Sequence, residues 1–232
     1  MVDHQRIYAE RAEDYDRLVA VEDCDGRLLP AIRDLVSLEG ASALEVGVGT
    51  GRVTRLLVAA GARVVGCEPA EAMLAVAKKN LAGLTAGAVE LSCCRAQDFE
   101  IPAGAFHLAI AGWVFGHFVT WFALGWREEI GAALDRMLAG LRPGGALVII
   151  ETLGTGATVP RPPNDALAGY YDWLERERGF ARVELRTDYL FADVEEAARV
   201  TGGFFGDVFA QLVLRERWVR VPECTGLWWR RP

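Results

Sequence analysis

The stretch that decides the fold is Ala43-Leu44-Glu45-Val46-Gly47-Val48-Gly49-Thr50-Gly51. Its apolar beginning predicts a short buried strand, and three glycines at alternate positions then lead into a helical pattern. Because glycine has no side chain, the backbone can approach a ligand closely or take conformations that other residues avoid. Open α/β sheets bind ligands at the carboxyl ends of their strands, where the next helix also offers free N–H groups. We therefore predict a ligand site immediately after this strand.

Strand and helix patterns alternate on the C-terminal side of this loop. Further strands are predicted over Arg63–Cys67, Val89–Cys94, Phe106–Ala111 and Ala146–Ile150. Helices are predicted over Arg52–Ala60, Ala70–Ala82 and Arg127–Gly140 and, before the first strand, over Gln5–Val19 and Leu28–Ser37. Such alternation predicts a parallel sheet whose strands are joined by crossover helices.

The last third of the chain has a different pattern, and a Pro-rich break over Gly154–Asp165 precedes it. Arg182–Tyr189 alternates apolar and charged residues, which predicts a half-exposed strand. Helices over Val194–Thr201 and Asp207–Arg217 and a last strand over Thr225–Trp229 follow. Late strands that alternate in this way predict an antiparallel edge on the parallel sheet.

The amino-acid composition argues against several classes of function. The chain is 52% hydrophobic, enough for a sizeable core, and its formal net charge of -7 argues against a nucleic-acid partner. The five cysteines form no C-x-x-C pair, so neither a metal site nor a disulfide framework is expected, and a cytoplasmic location fits. The uncharged stretch 106–126 is long enough to span a membrane, but its glycines and two histidines favour a buried strand, a loop and the start of a helix.

Three patterns of nucleotide-binding loop are alternative interpretations of the glycine stretch. The phosphate-binding pattern G-x-x-x-x-G-K-[ST] is absent, and the dinucleotide pattern G-x-G-x-x-G fails because Arg52 stands three residues after Gly49. Glu45 to Gly51 matches acidic-x-G-x-G-x-G, which resembles motif I of the class I S-adenosylmethionine-dependent methyltransferases. Glu68, 21 residues after Gly47, ends the second strand, where a carboxylate can accept both hydroxyls of a ribose.

Two further segments resemble the small-molecule branch of that superfamily, in particular the methyltransferase type 11-like enzymes. Tyr8-x6-Tyr15-Asp16 is similar to a lid helix, and Leu141-Arg142-Pro143-Gly144-Gly145 precedes the fifth strand. The resemblance implies one Rossmann-like, doubly wound α/β domain over 1–232, with a mostly parallel seven-stranded sheet and an antiparallel C-terminal edge. It divides into N-terminal lid helices (1–40), a cofactor-binding core (41–151) and a substrate-side insertion with the final strands (152–232).

The resemblance also implies S-adenosylmethionine as cofactor, which becomes S-adenosylhomocysteine on methyl transfer. The residues expected to bind the cofactor are Tyr8, Tyr15, Glu45, Gly47, Gly49, Gly51, Glu68, Pro69, Met73, Ala96, Gln97, Asp98, Gly112 and Trp113. The segment beside the adenine departs from the family pattern, because Arg95 stands where an aspartate is common. Met73 fits core packing as well as it fits contact with the adenine ring.

The acceptor is expected to be a small molecule, with neither nucleic acid nor membrane as partner. Its predicted contacts are Phe115, His117, Glu151, Tyr170 and Tyr171, because the segment after the fourth strand reaches the same sheet edge. His117 is the candidate base, since histidine can accept a proton near neutral pH, although one histidine among aromatic residues is more often structural. Two alternatives stay open: a non-catalytic module that binds the cofactor, and an NAD-dependent oxidoreductase on a similar fold.

Overall fold

A seven-stranded sheet forms the centre of the protein, and two short strands pair separately. The computed structural model describes residues 3–84, 87–122 and 124–232. The strands are β1 (Ser42–Val46), β2 (Arg63–Cys67), β3 (Val89–Ser92), β4 (Phe106–Gly112), β5 (Leu141–Thr155), β6 (Ala181–Arg186), β7 (Tyr189–Leu190), β8 (Arg220–Val221) and β9 (Glu223–Arg230). The helices are α1 (His4–Glu10), α2 (Ala12–Val19), α3 (Leu28–Arg33), α4 (Arg52–Ala59), α5 (Glu71–Leu81), α6 (Phe115–Trp121), α7 (Trp126–Ala139), α8 (Asp165–Arg176), α9 (Val194–Phe205) and α10 (Asp207–Glu216).

The strand order of the large sheet is β3-β2-β1-β4-β5-β9-β6. The first five strands in this order are parallel, whereas β9 pairs antiparallel with both β5 and β6. The order reverses between β1 and β4, and ligands bind at such a point in open α/β sheets. The predicted doubly wound sheet with an antiparallel C-terminal edge is confirmed.

The two faces of the sheet pack into separate apolar layers. In β4, Ala109 and Ala111 belong to one layer and Leu108 and Ile110 to the other, and all four are fully buried. Successive residues of a strand point to opposite faces, so a strand covered on both sides is apolar throughout. Burying one large aliphatic side chain stabilises the fold by roughly 1.5–3 kcal/mol, which makes this central strand a firm support for the loops at its end.

Several predicted elements have different bounds. The helix predicted over Gln5–Val19 is divided into α1 and α2, because Arg11 between them has φ -134° and ψ 36°, outside the helical region. The helix predicted over Leu28–Ser37 ends at Arg33. Strand β5 is longer than the predicted Ala146–Ile150 at both ends. Its register against β4 shifts around the Pro143-Gly144 turn, and its later part extends into the predicted break because it pairs with β9.

The alternating stretch Arg182–Tyr189 is not one strand. It belongs to β6 as far as Arg186, and Tyr189 begins β7, which pairs with β8. Asp188 causes the interruption, since its carboxylate accepts hydrogen bonds from Arg186, Arg220 and the backbone N–H of Glu223.

Two helices, α6 and α8, were not predicted. The side chain of Asn164 caps α8 by accepting a hydrogen bond from the N–H of Leu167 at 2.9 Å. Helix α6 occupies part of the uncharged stretch 106–126, which also contains β4. Within residues 3–84, 87–122 and 124–232, no helix combines the length and apolarity needed to cross a membrane.

Candidate active site

The glycine loop takes backbone conformations that exclude side chains. Gly47, Gly49 and Gly51 have φ of 75°, 59° and 89°. A Cβ on Gly47 would overlap Cγ2 of Val114, and one on Gly49 would lie 3.7 Å from Cε of Met73. The positive φ angles and the close packing against Val114 therefore both favour glycine at the end of β1.

A cavity of about 270 Å³, here named the glycine-loop cavity, opens beside this loop. Most of the predicted cofactor residues line it: Tyr8, Tyr15, Gly47, Gly49, Glu68, Pro69, Met73, Ala96, Gln97, Gly112 and Trp113. Residues from α1, α2 and the ends of β1, β2 and β4 thus come together at one edge of the sheet. Arg95, the departure from the family pattern, also lines this cavity.

Glu68 is held firmly at the wall of the glycine-loop cavity. Its Oε2 accepts a hydrogen bond from the N–H of Gly49 and its Oε1 accepts one from the N–H of Ala70, both at 2.9 Å. Burial raises the pKa of this carboxyl above its ordinary value, while the two N–H groups oppose that rise. Each oxygen keeps a lone pair, so the carboxylate can still accept hydrogen bonds from two hydroxyl groups.

Three predicted cofactor residues do not line the glycine-loop cavity. Glu45 points into the protein, where its Oε2 accepts a hydrogen bond from Thr54 at 2.7 Å and burial raises its pKa to about 8. Gly51 begins α4 and faces Leu81 of α5. Asp98 closes a turn, with its N–H donating to the carbonyl of Arg95 at 3.0 Å. These residues lie outside the cavity lining, and their contact with the cofactor stays a prediction.

The adenine-side segment is supported by Arg136 of α7, which the sequence analysis did not identify. Its guanidinium donates to the carbonyl of Ala96 at 2.8 Å and also contacts the carbonyls of Gln97 and Phe99. The side chain of Gln97 donates to Glu129 at 3.0 Å. A single half-buried arginine therefore fixes the backbone of this loop.

A second cavity, of about 570 Å³, adjoins the first. We name it the carboxylate cavity because Glu22, Glu151 and Glu223 line it. Tyr8, Tyr15, Trp113 and His117 line both cavities. These four residues mark the place where ligands in the two cavities would meet.

His117 lies on α6 at this junction. Its Nε2 shares a hydrogen bond of 2.8 Å with the hydroxyl of Tyr8, and its ring stacks on Trp121 at 5.1 Å between centroids. Burial, helped by the nearby His4, lowers the pKa of His117 to about 4. The imidazole is therefore neutral at pH 7 and ties α1 to the sheet edge.

Trp113 takes a strained conformation at the same junction. Its φ is 56°, and its N–H donates to the carbonyl of Ile150 at 2.6 Å. The guanidinium carbon of Arg52 lies 3.7 Å from the centre of the indole ring, and Arg52 also forms an ion pair with Glu22. Positive φ in a bulky residue costs free energy and is commonest at functional sites, so this contact network holds Trp113 in place.

Of the predicted acceptor contacts, His117 and Glu151 line the carboxylate cavity and three do not. Phe115, Tyr170 and Tyr171 are buried in the apolar layer, and the hydroxyl of Tyr171 donates to the carbonyl of Thr152 at 2.7 Å. Their contact with the acceptor stays a prediction, and α8 packs its two tyrosines into this layer and not into the cavity lining. Glu151 accepts a hydrogen bond from the N–H of Gly116 at 2.8 Å, and burial raises its pKa to about 8.

The sequence analysis missed Glu22, Arg52 and Glu223 as wall residues. A carboxylate inside the largely apolar last strand was a usable signal for Glu223. No local pattern links Glu22 with Arg52, because only the folded chain brings them together. Within the described ranges, no three His, Cys, Asp or Glu side chains are grouped to hold a metal ion.

Comparisons with known proteins agree with this geometry. A family model described as a methyltransferase domain matches residues 43–145. An uncharacterised methyltransferase of Bacillus cytotoxicus is 29% identical over 153 residues, which cover 63% of this chain and 66% of the relative, just under two thirds of its length. An uncharacterised methyltransferase of Bacillus cereus is 28% identical over 194 residues, which cover 79% of this chain and 80% of the relative.

Solved structures share the fold at lower identity. A phosphoethanolamine N-methyltransferase 2 of Haemonchus contortus in complex with S-adenosyl-L-methionine has a TM-score of 0.57 at 16% identity, covering 89% of this chain and 52% of that one. The [4+2]-cyclase SpnF has a TM-score of 0.56 at 21% identity, covering 89% and 81%. A YcgJ protein from Bacillus has a TM-score of 0.55 at 11% identity, covering 88% and 98%. These neighbours share the architecture and differ in their named activities, so they do not identify an acceptor for this chain.

Proposed function

We propose that this chain is a class I S-adenosylmethionine-dependent methyltransferase that transfers a methyl group to a small molecule bound in the carboxylate cavity, a proposal supported by the methyltransferase-domain match over residues 43–145 and the methyltransferase relatives. The matches confirm the predicted family, enzyme class and cofactor. One observation carries the proposal beyond the family: the glycine-loop cavity and the carboxylate cavity share a wall of four side chains.

The glycine-loop cavity fits this cofactor. At Gly49 a Cβ would meet only Cε of Met73, at 3.7 Å, so the backbone there is open to a ligand, and Glu68 presents two fixed carboxylate oxygens to a ribose. Ala96 and Gln97 would face the edge of the adenine, and Met73 would pack on its ring. When bound, S-adenosylmethionine supplies a methyl group on a positively charged sulfur, which is already activated for displacement.

The remaining task of the protein is to align the acceptor and exclude water. Tyr8 and Tyr15 come from the two N-terminal helices and cover the junction of the cavities. The volume of the carboxylate cavity, about 570 Å³, lies within the usual range for small-molecule sites. Its size and its position beside the cofactor support a small-molecule acceptor.

The predicted role of His117 as a base stays a prediction. Its pKa of about 4 makes it a weak proton acceptor at neutral pH, since a good general base has a pKa near the working pH. Its hydrogen bond to Tyr8 favours a positioning role, in which the neutral imidazole holds the N-terminal helix over the cavities. Replacing His117 with Ala would then weaken cofactor binding, whereas loss of a base would lower turnover and change its pH dependence.

The proposal is tested by methyl transfer itself. The purified protein is incubated with a small-molecule extract and a methyl donor whose methyl hydrogens are replaced by deuterium, and products are sought by mass spectrometry. We expect a small molecule to gain the labelled methyl group and S-adenosylhomocysteine to accumulate. A protein that binds the donor but labels no small molecule, while labelling a protein or nucleic acid, would contradict the proposal.

A further inference from the structure

Three acidic side chains line the carboxylate cavity, and none of them lines the glycine-loop cavity. Glu22, Glu151 and Glu223 are 8%, 3% and 1% exposed. Removing a carboxylate from water is costly unless it is paired or hydrogen-bonded, so acidic residues are rarely buried without a partner. Their position indicates that they serve the second ligand and not the cofactor.

Only some of these carboxylate oxygens accept hydrogen bonds from the protein. Glu22 pairs with Arg52 through Oε2, and Glu223 accepts a hydrogen bond from Thr152 at 2.7 Å through Oε1. The other oxygens, Oε1 of Glu22 and Oε2 of Glu223, are buried and have no hydrogen-bond partner among the residues that the structure describes. Buried polar atoms nearly always have a partner, so these two acceptors point to donors on a bound molecule.

The basic groups in the cavity wall are engaged, exposed or neutral. Arg52 is engaged by Glu22 and by the face of Trp113, and Arg161 lies at an exposed position. Burial lowers the pKa of both His4 and His117, so both rings are neutral at pH 7. The cavity therefore offers carboxyl oxygens to its ligand, and Glu151 and Glu223, whose pKa burial raises to about 8, would ionise when a cation binds beside them.

Aromatic faces lie in the same wall. The ring of Tyr15 is 5.3 Å from that of Tyr8 and 5.4 Å from that of Phe204, measured between centroids, and all three rings line the carboxylate cavity. Aromatic rings attract cations through their electron-rich faces, and a combination of rings and carboxylates is typical of ammonium recognition.

We infer that the acceptor is an amine, bound as its ammonium ion with the unpartnered oxygens of Glu22 and Glu223 as its hydrogen-bond acceptors. This inference rests on the proposed function. Before transfer, the ammonium group gives one proton to a carboxylate of the cavity wall. The nitrogen lone pair then forms the bond to the methyl carbon as the carbon–sulfur bond breaks. The electron pair of that bond stays on sulfur, and the positive charge moves to the methylated nitrogen.

A proton should be released when the amine binds. Burial, reinforced by the nearby Glu22, raises the pKa of Glu223 to about 8, while Arg52, Thr152 and Thr155 oppose the rise. The other titratable groups that face it are Tyr171, Tyr189 and Asp188, the last through the backbone N–H of Glu223. A bound ammonium ion favours the ionised carboxylate, so the amine should bind more tightly as the pH rises toward 8. A neutral ligand should show no such dependence.

The test uses the protein saturated with S-adenosylhomocysteine and sets of three probes, an alkylamine, the matching alcohol and the matching carboxylate, on several carbon skeletons. Binding is measured by calorimetry at about pH 6 and about pH 8, where the amines stay protonated. We expect the amine to bind about tenfold or more tightly than its partners, with proton release. Tighter binding of the alcohols or carboxylates, or no binding of any amine, would overturn the inference.

Two variants distinguish an effect of the cavity carboxyl groups on amine binding from an effect of surface charge. Glu223→Gln should reduce the preference for the amine by about tenfold and abolish proton release, whereas Glu216→Gln, exposed on α10, should change neither. The probe sets on the unaltered protein decide the question even if Glu223→Gln fails to fold. Methylation of an alcohol and of no amine would contradict this inference but would agree with the proposed methyl transfer to a small molecule.

Discussion

Individual atoms around the glycine loop determine how the cofactor is held. Glu68 is fixed by two N–H groups and turns its remaining lone pairs to the cavity, while the missing side chain of Gly47 makes room for Val114. These features follow from local sequence, because a strand, a glycine-rich turn and a helix form one continuous segment. The loop residues were therefore predictable. The inward direction of Glu45 was not, since it depends on Thr54 in the next helix.

Replacing Glu68 with Ala should weaken the binding of S-adenosylhomocysteine by about tenfold or more, because hydrogen bonds to a charged group contribute roughly 1.5–3 kcal/mol. Glu90→Ala, at an exposed position of β3, is the matched control and should bind normally. Calorimetry measures both variants. Unchanged affinity in Glu68→Ala would show that this carboxylate does not contact the cofactor.

Gly47→Ala should destabilise the protein more than Gly83→Ala does. Both glycines have positive φ, 75° and 89°, so both variants carry a conformational cost of roughly 1–2 kcal/mol. The new Cβ at Gly47 meets Val114, whereas at Gly83 no atom of the described part of the chain lies within 4 Å. Thermal unfolding compares the two variants, and equal losses of stability would mean that the overlap has no consequence.

Helices α1 and α2 are the elements that cover both cavities. They were predicted as one helix, and the non-helical backbone of Arg11, which no local sequence pattern indicated, separates them. The same limit applies to α8, whose tyrosines could face a cavity or the core on sequence grounds alone. Which face of a helix meets a cavity depends on tertiary packing, and this is why Tyr170 and Tyr171 lie in the apolar layer while Tyr8 and Tyr15 line the cavities.

Cofactor binding should protect the junction of α1 and α2 from trypsin. Arg11 is exposed and non-helical there, and a ligand that contacts Tyr8 and Tyr15 would hold both helices in place. We expect S-adenosylhomocysteine to slow cleavage after Arg11 and to leave cleavage after the exposed Arg217 unchanged. Timed digestion with mass spectrometry measures both sites. Equal slowing at both would indicate general stabilisation and not closure of these helices.

The molecule taken as a unit buries several carboxyl groups around a mostly apolar sheet. Glu45, Glu151 and Glu223 each have a pKa raised to about 8, in every case chiefly by burial. The sheet order and the apolar layers that enclose them were predictable from the alternation of strands and helices. The carboxylate cavity was not, because residues from α2, β5 and β9 meet only after the chain has folded.

Stability should fall as the pH rises from about 5 to about 8. A carboxyl whose pKa is raised from 4.5 to about 8 on folding keeps its proton in the native state and has lost it in the unfolded state over this range. The unfolded state then binds fewer protons, so each such group lowers the free energy of unfolding by up to about 1.4 kcal/mol per pH unit. Glu151→Gln should flatten this slope, and Glu184→Gln, exposed on β6, should not. Denaturant unfolding at several pH values measures it; an identical slope in Glu151→Gln would contradict the assignment.

The most direct measurement is calorimetric titration of the unaltered protein with S-adenosylmethionine, S-adenosylhomocysteine and NAD. The glycine loop, the fixed carboxylate of Glu68 and the shared wall of the two cavities predict about micromolar binding of the first two ligands and no binding of NAD. Binding of NAD without binding of either sulfur compound would contradict the assignment of the glycine-loop cavity. It would also contradict the inference that the adjoining cavity binds a methyl acceptor.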